Sequence, residues 1–246
     1  TLPITEYISE GMKFKFFAEF HKEIPAEQDT IFGDVILNLP QFNDAYMVVW
    51  GFDFRHYQKV HRNIIWANRV SYSTSVGNRK LMYYLGGVDG WIGPSFDNTT
   101  PINTDNNYAF QTIATNMRGF KQNARNGNSY FLINSELRVP IFSYFIKTPI
   151  RSDFIRNFQI VGFTDIGTAW EGANPFDEDN PAFSEEITQG PVTVLIKYAR
   201  NPVIAGYGTG IRTSIFGYYF RMDVAWGKDS GISQGPMFHF SLNKDF

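Results

Sequence analysis

The chain has 246 residues and no cysteine, and its charges nearly cancel at a net charge of −2. Its length suits one large domain, its charge offers no basic surface for nucleic acid, and the absence of cysteine excludes disulfides and thiolate metal sites. Aromatic residues make up 17% of the chain, yet no run reaches the roughly 18 apolar residues that a membrane-spanning helix needs. The composition therefore argues against a helical membrane protein.

Ten segments alternate apolar and polar residues with a period of two, the pattern of a strand with one apolar face. In the first segment, Met12, Phe14 and Phe16 point one way while Lys13 and Lys15 point the other. We expect the ten strands to form one contiguous antiparallel sheet. They span about 12–23, 30–39, 46–58, 63–76, 80–88, 130–139, 158–169, 206–216, 218–227 and 236–246.

Two long segments without a period separate the strands, at about 90–129 and 171–205. The first is rich in Asn, Thr and Gly, and the second is acidic, with a stretch near 192–198 that can form a further strand. Loops of this length are uncommon unless they are functional. The shortest connections are predicted at Gly77-Asn78, as a tight turn, and at Gly217.

The last predicted strand carries a membrane-like pattern to the end of the chain. Phe238, Phe240 and Leu242 occupy every second position, and Phe246 is aromatic, whereas terminal residues of soluble proteins usually fray and are polar. A lipid-facing strand of an outer-membrane barrel ends with such an aromatic at the membrane interface. The sequence therefore predicts an all-β, transmembrane antiparallel β-barrel in the outer membrane, in contact with its lipid.

Barrel geometry assigns both the loops and the faces. Short turns of such barrels are periplasmic and long loops extracellular, so the two long segments are expected outside the cell and the turns at Gly77-Asn78 and Gly217 on the periplasmic side. Alternation predicts that lipid contacts Phe14, Phe16, Ile133, Ile160, Ile211, Val224, Phe238 and Phe240. The same alternation predicts a partly wet lumen lined by Arg69, Glu136, Asp165, Arg212, Arg221 and Asp223.

Two inward carboxylates in a confined lumen require a cation. Arg118, in the 90–129 segment, can offer its fork of donors to both Glu136 and Asp165 if that segment folds back into the barrel. The alternative is that Arg118 is a solvated loop charge and Asp165 a wetted lumen residue.

A series of four motifs in a fixed order resembles a known superfamily. The motifs are Met117-Arg118-Gly119-Phe120, Gly162-Phe163-Thr164-Asp165-Ile166-Gly167-Thr168-Ala169-Trp170, Gly206-Tyr207-Gly208-Thr209-Gly210-Ile211-Arg212 and Arg221-Met222-Asp223-Val224-Ala225-Trp226-Gly227. With the terminal Phe246, this order resembles the C-terminal part of the outer-membrane assembly superfamily. The superfamily comprises BamA-type insertases, two-partner-secretion translocases and "bacterial surface antigen" barrels. The resemblance covers about 117–246, roughly half of the chain.

The resemblance implies a sixteen-stranded barrel, of which residues 1–246 are the C-terminal part, strands seven to sixteen. It implies a lock between the Arg-Gly-Phe loop and the barrel wall, formed by Arg118, Gly119, Phe120, Glu136, Asp165 and Gly167. The Gly-Tyr-Gly segment is most similar to barrels of Bacteroidetes, many of which follow a TolB-like propeller. The implied function is insertion or translocation of nascent outer-membrane or secreted proteins, without catalysis or a cofactor.

Other candidate sites are weaker. His56 and His61 lack a carboxylate at metal-ligand spacing, and Gly206-x-Gly208-x-Gly210 lies in a strand with no helix after it, unlike a phosphate-binding loop. The acidic 177–186 stretch does not fit a calcium-binding loop. Two alternatives stay open: a passive anchor or pore that carries another domain, and a secreted soluble β-sandwich, which is disfavoured because its many apolar faces would need one core.

Overall fold

The computed structural model describes residues 10–22, 30–32, 35–37, 45–103, 107–146, 148, 150–177, 180, 184–189, 192–197, 200–215 and 218–243. Two short helices are present, namely α1 (Ile141–Phe145) and α2 (Asp153–Arg156). All other regular structure in this part of the chain is β. The strands are β1 (Gly11–Lys22), β2 (Thr30–Phe32), β3 (Val35–Leu37), β4 (Tyr46–His61), β5 (Ile64–Gly77), β6 (Lys80–Leu85), β7 (Tyr108–Ala114), β8 (Arg125–Gly127), β9 (Ser129–Val139), β10 (Gln159–Trp170), β11 (Ser184–Gln189), β12 (Val192–Lys197), β13 (Ile204–Ile215), β14 (Tyr218–Asp229), β15 (Ile232–Ser233) and β16 (Met237–Asn243).

Eight long strands form the main sheet in the order β1-β4-β5-β9-β10-β13-β14-β16, and the short β15 also pairs with β14. Every neighbouring pair is antiparallel. The predicted all-β, antiparallel fold is confirmed. Three smaller sheets accompany it: the β2-β3 pair, the β11-β12 pair and a three-stranded sheet in the order β7-β6-β8.

The prediction of ten strands in one contiguous sheet is wrong for two of them. The predicted strand 80–88 becomes β6, which leaves the main sheet and pairs in parallel with β7. Its residues Met82, Tyr83, Tyr84 and Leu85 are all buried. Both sides of β6 are therefore covered by protein, unlike a strand with one exposed apolar face. Of the predicted strand 30–39, the described residues form β2 and β3, which pair with each other.

The Gly77-Asn78 turn is also corrected. The turn was expected at the opposite end of the sheet from the two long segments. Gly77, however, pairs with Met47 at the end where β10 finishes and β13 begins, which is also the end of the long 171–203 connection. The chain leaves the sheet at Gly77 with φ +132°, a conformation that favours glycine, and Asn78 accepts a hydrogen bond from the Tyr46 backbone at 2.7 Å. The predicted turn at Gly217 lies outside the described residues.

The main sheet has two chemically opposite faces, here called the outer face and the inner face. The outer face exposes apolar side chains: Phe14 is 65% exposed and Phe238 69%, Phe16, Ile160, Ile211 and Phe240 are exposed, and Ile133 and Val224 are partly exposed. The inner face buries Arg69, Glu136, Asp165, Arg212, Arg221 and Asp223, each at most 9% exposed. These exposures agree with the predicted division of faces.

The sheet is open among the described residues. Its first strand, β1, pairs with β4 alone, and β16 pairs with β14 alone among the strands. No strand pairing joins β1 to β16, so this part of the chain shows an open run of neighbouring strands rather than a closed barrel.

Candidate functional site

The segment between β5 and β9 (78–103 and 107–128), here called the inner segment, packs against the inner face of the main sheet. The two meet in one apolar cluster formed by Tyr83, Leu85, Ala114, Met117, Phe120, Ala124, Leu132, Ala169 and Ile204. The Tyr83 hydroxyl lies 2.7 Å from Ser73 Oγ of β5. Burial raises the pKa of Tyr83 to about 12, so this hydroxyl stays neutral and able to donate.

Arg118 lies where the inner segment meets β9 and β10, and its side chain is fully buried. Its Nε and Nη2 donate to the two oxygens of Asp165, each at 2.6 Å, as a bidentate pair. Its backbone N–H donates to the same carboxylate at 3.1 Å, and its Nη1 donates to Glu136. The guanidinium carbon lies 3.6 Å from the centre of the Phe163 ring. The structure thus brings Arg118, Asp165 and Glu136 together, and their action as a lock stays a prediction.

Glu136 connects Arg118 to a larger network of buried charges. Its carboxylate also accepts a hydrogen bond from Arg138 Nε at 3.0 Å and one from Arg212 Nη2 at 3.3 Å. An isolated charge in such a position is strongly unfavourable. Three guanidinium groups therefore compensate the one buried carboxylate of Glu136.

The network continues to Asp223 on β14. Its two oxygens accept hydrogen bonds from Arg212 Nη1 at 2.6 Å and from Arg221 Nε at 2.9 Å. The carboxylates of Asp165, Glu136 and Asp223 have no exposed area. The three carboxylates are thus enclosed by protein groups, which differs from the expectation of partly wet surroundings.

Glycines allow the Arg-Gly-Phe loop to reach the sheet. Gly119 has φ +86°, and a Cβ on it would lie 2.7 Å from the backbone of Trp226 and Gly227. A Cβ on Gly227 would lie 2.6 Å from the Gly119 carbonyl oxygen, and one on Gly206 would overlap the Arg118 carbonyl oxygen. Gly206 and Gly227, from the last two of the four motifs, therefore form a contact surface for the backbone of the Arg-Gly-Phe motif.

The remaining predicted site residues have packing positions. Phe120 is buried in the apolar cluster, and a Cβ on Gly167 would lie 3.0 Å from Leu132. In the predicted C-terminal signal, Phe238, Phe240 and Leu242 are exposed on the outer face of β16. Phe246 lies outside the described residues.

Three polar residues of the site were not predicted, namely Arg138, which donates to Glu136, His239 and Asn134. The backbone N–H of Gly119 donates to His239 Nε2 at 3.0 Å. Asn134 Nδ2 lies 2.7 Å from Asp165 Oδ1 and 2.6 Å from the Asn116 carbonyl oxygen. Alternation contained the signal for all of them. Asn134 and Arg138 have the same parity as Glu136 on β9, and His239 falls between the outward Phe238 and Phe240.

The other candidates gain no support. Within the described part of the chain, no three His, Cys, Asp or Glu side chains form a group that could hold a metal ion. His61 Nδ1 lies 3.3 Å from the Tyr144 hydroxyl. Gly206, Gly208 and Gly210 lie within the strand β13, and much of the acidic 177–186 stretch lies outside the described residues.

No family model matches the chain, and the search of curated proteins finds no significant match. No helix in the described ranges is long and apolar enough to cross a membrane. The resemblance to the outer-membrane assembly superfamily therefore depends on the motif order alone and stays a prediction.

Proposed function

We propose that the main sheet is part of the wall of an outer-membrane β-barrel that inserts or translocates other proteins, and that the inner segment is its internal plug. The observation that carries this proposal is the inversion of the two faces: aromatic and aliphatic side chains are exposed, whereas arginines and carboxylates are buried. Extended exposed apolar surface marks an interaction with a membrane or a partner.

The outer face carries continuous apolar rows across several strands. The strand registers place one such row side by side, formed by Val139, Ile160, Ile211, Met222 and Phe240. A second row contains Phe14, Phe54, Val70, Ile133 and Ile166. Rows of this kind suit hydrocarbon, and the exposed Trp66 on the same face has its indole N–H paired with Ser135 Oγ at 2.9 Å, as lipid would require.

A soluble sandwich fits this arrangement poorly. In a soluble sandwich, the apolar faces of two sheets pack against each other. Here the apolar rows lie on the outer face, whereas the inner segment packs on the opposite face, which carries the charge network. A membrane provides the cover for the outer rows without any further protein.

Assembly or translocation, rather than a passive wall, is supported by the two edges of the sheet, because among the described residues no strand pairs with β1 beyond β4 or with β16 beyond β14, and the outer edge of β16 carries only a short contact with residues 90–92. A strand edge without a partner exposes backbone groups that can pair with another chain. In the proposed barrel, β1 pairs with strands outside this chain, and the outer edge of β16 forms one side of a seam. The Arg118 contact then fixes the plug beside that seam.

A passive anchor for another domain is the second candidate function. The observation that favours it is the pair of buried ion pairs between the plug and the sheet. Arg118 contacts both Asp165 and Glu136, and these contacts hold the inner segment against the sheet. Such a barrel would carry a periplasmic or surface domain, such as a propeller or a hydrolase, and would pass no protein.

The two candidates differ in an insertion assay. The full-length protein is reconstituted into lipid vesicles, and a urea-unfolded outer-membrane barrel protein is added. We expect it to fold into these vesicles at least tenfold faster than into protein-free vesicles. The matched control is the Arg118→Ala protein at the same density, which should lose most of the acceleration. Equal rates with and without the protein would refute the insertase function and leave translocation or the anchor.

A further inference from the structure

A three-residue part of the inner segment, Gly90–Ile92, lies along the outer edge of β16. The backbone N–H of Ile92 donates to the Phe240 carbonyl at 2.8 Å, and that of Leu242 donates to the Gly90 carbonyl at 3.3 Å. Trp91 and Ser241 form an antiparallel bridge between these two bonds. This edge cap therefore occupies the position of a neighbouring strand.

The edge cap covers only part of the edge. The two hydrogen bonds fix the parity of β16, so the N–H and C=O groups of Phe238, Phe240 and Leu242 point away from β14. The edge cap engages one group of Phe240 and one of Leu242. A longer extended strand would pair with all three residues and would therefore replace the edge cap at the cost of two hydrogen bonds.

The side chain of Trp91 holds the edge cap in place. Its ring centre lies 4.6 Å from that of His239, and a Cβ on Gly87 would lie 3.0 Å from the same ring. Gly87 has φ +73°, so this position suits glycine both in conformation and in space. Trp91 thus lies in a slot between β16 and the backbone of Gly87.

The edge cap is also continuous with the Arg-Gly-Phe loop. The Gly87 N–H donates to the Phe120 carbonyl at 3.2 Å, and the Met117 N–H donates to the Gly87 carbonyl at 2.9 Å. His239, which packs on Trp91, accepts the hydrogen bond of the Gly119 N–H. A displacement of Trp91 therefore acts on the loop that carries Arg118 by two routes.

We propose that the outer edge of β16 is a docking edge for an extended β-strand, that Gly90–Ile92 is its displaceable cap, and that docking loosens the Arg-Gly-Phe loop. The partner is a strand with apolar side chains at alternate positions, because Phe238, Phe240 and Leu242 present an apolar row beside the edge on the outer face. The inference rests on the proposed function in one respect only, namely that the docking strand belongs to a protein that is being inserted or translocated.

The test closes the edge covalently. This chain has no cysteine, and the Trp91–Ser241 pair lies between hydrogen bonds, where Cα atoms are about 4.5 Å apart, a separation that a disulfide accepts. The full-length Trp91→Cys/Ser241→Cys protein should form the disulfide in detergent under mild oxidation. Failure to form it would show that the edge cap does not lie on the edge and would overturn the proposal.

Docking is measured with a fluorescent synthetic peptide that copies residues 236–246. The oxidised double variant should bind the peptide at least tenfold more weakly than the same protein after reduction, whereas the two single-cysteine variants should show no redox dependence. A peptide with proline in place of Phe240 should not bind, because it loses a donor. Equal binding by the oxidised and reduced protein would refute docking at this edge.

The coupling has its own readout in hydrogen exchange. Bound peptide should raise the exchange rate of the Met117 and Gly119 amides severalfold, and unchanged rates would refute the coupling. All of these measurements use purified protein. Redox-dependent peptide binding without any insertion of an unfolded barrel protein would therefore refute the proposed insertase function and leave the docking edge intact.

Discussion

Gly206 on β13 lies directly against the backbone of Arg118, so closely that a Cβ at position 206 would overlap the Arg118 carbonyl oxygen. The side chain of the same arginine is held by Asp165, the residue that pairs with Gly206 across the strands. The sheet therefore contacts Arg118 in two ways. The Asp165 carboxylate binds the guanidinium, and the lack of a side chain at Gly206 leaves room for the Arg118 backbone.

The Gly206→Ala substitution should consequently displace the Arg-Gly-Phe loop. Because the overlapping atom belongs to the backbone, relief requires the loop or the strand to move, at a cost of about 1–3 kcal/mol. The measurement is the thermal unfolding midpoint together with protease sensitivity of the inner segment. The matched control is Gly162→Ala on the neighbouring strand, where a Cβ would meet nothing within 4 Å. Equal effects of the two substitutions would contradict the close approach.

Arg118→Ala should open the inner segment while the sheet still assembles. The substitution leaves Asp165 buried without its bidentate partner, and removing one member of a buried pair typically costs about 3–5 kcal/mol. Arg118→Lys should recover only part of the loss, because an ammonium cannot repeat the fork on both oxygens of Asp165. Protease cleavage within 107–128 is the measurement.

A double-mutant cycle separates this pair from general damage. Asp165→Asn combined with Arg118→Ala should cost less than the sum of the two single variants, with a coupling of about 0.5–3 kcal/mol. Additive effects on cleavage would show that the two side chains act independently and would remove the basis of the lock.

The sequence contained enough to predict which residues meet at Arg118, but not the path that brings them together. Alternation placed Glu136 and Asp165 on one face, and the motif order placed Arg118 near them. The departure of β6 from the sheet could not be predicted in this way. Its residues Met82 to Leu85 are apolar in succession, and a short apolar run fits an interior strand as well as a wall strand. The parallel pairing of β6 with β7 depends on contacts distant in sequence.

His239 offers a prediction that distinguishes a packing role from a hydrogen-bonding role. His239→Phe preserves a ring against Trp91 but removes the acceptor of the Gly119 N–H, which would then be buried without its partner, at a cost of about 1–3 kcal/mol. Exchange of the Gly119 amide should rise, whereas the exchange of the Ile92 amide, which depends on the edge cap, should stay low. His239→Gln, which retains an acceptor, should restore part of the Gly119 protection. A Gly119 amide that is equally protected in the Phe variant would show that the hydrogen bond contributes nothing.

The membrane assignment depends on the outer face and can be tested by placing a charge there. Ile166 lies mid-strand in β10 and is 41% exposed, so Ile166→Arg would place a guanidinium in hydrocarbon if the outer face contacts lipid, at about 2–4 kcal/mol near the bilayer midplane. Ile232 in β15 is more exposed, at 71%, but lies beyond the last residues of β14, at the end of the sheet where the 171–203 connection enters β13; the sequence-based expectation puts that connection outside the cell. Ile232→Arg should therefore be neutral. The measurement is urea-dependent unfolding in lipid vesicles. In a water-soluble sheet both substitutions would replace one exposed side chain by another and stay within about 0.5 kcal/mol, so equal stability of the two variants would contradict a lipid-facing surface.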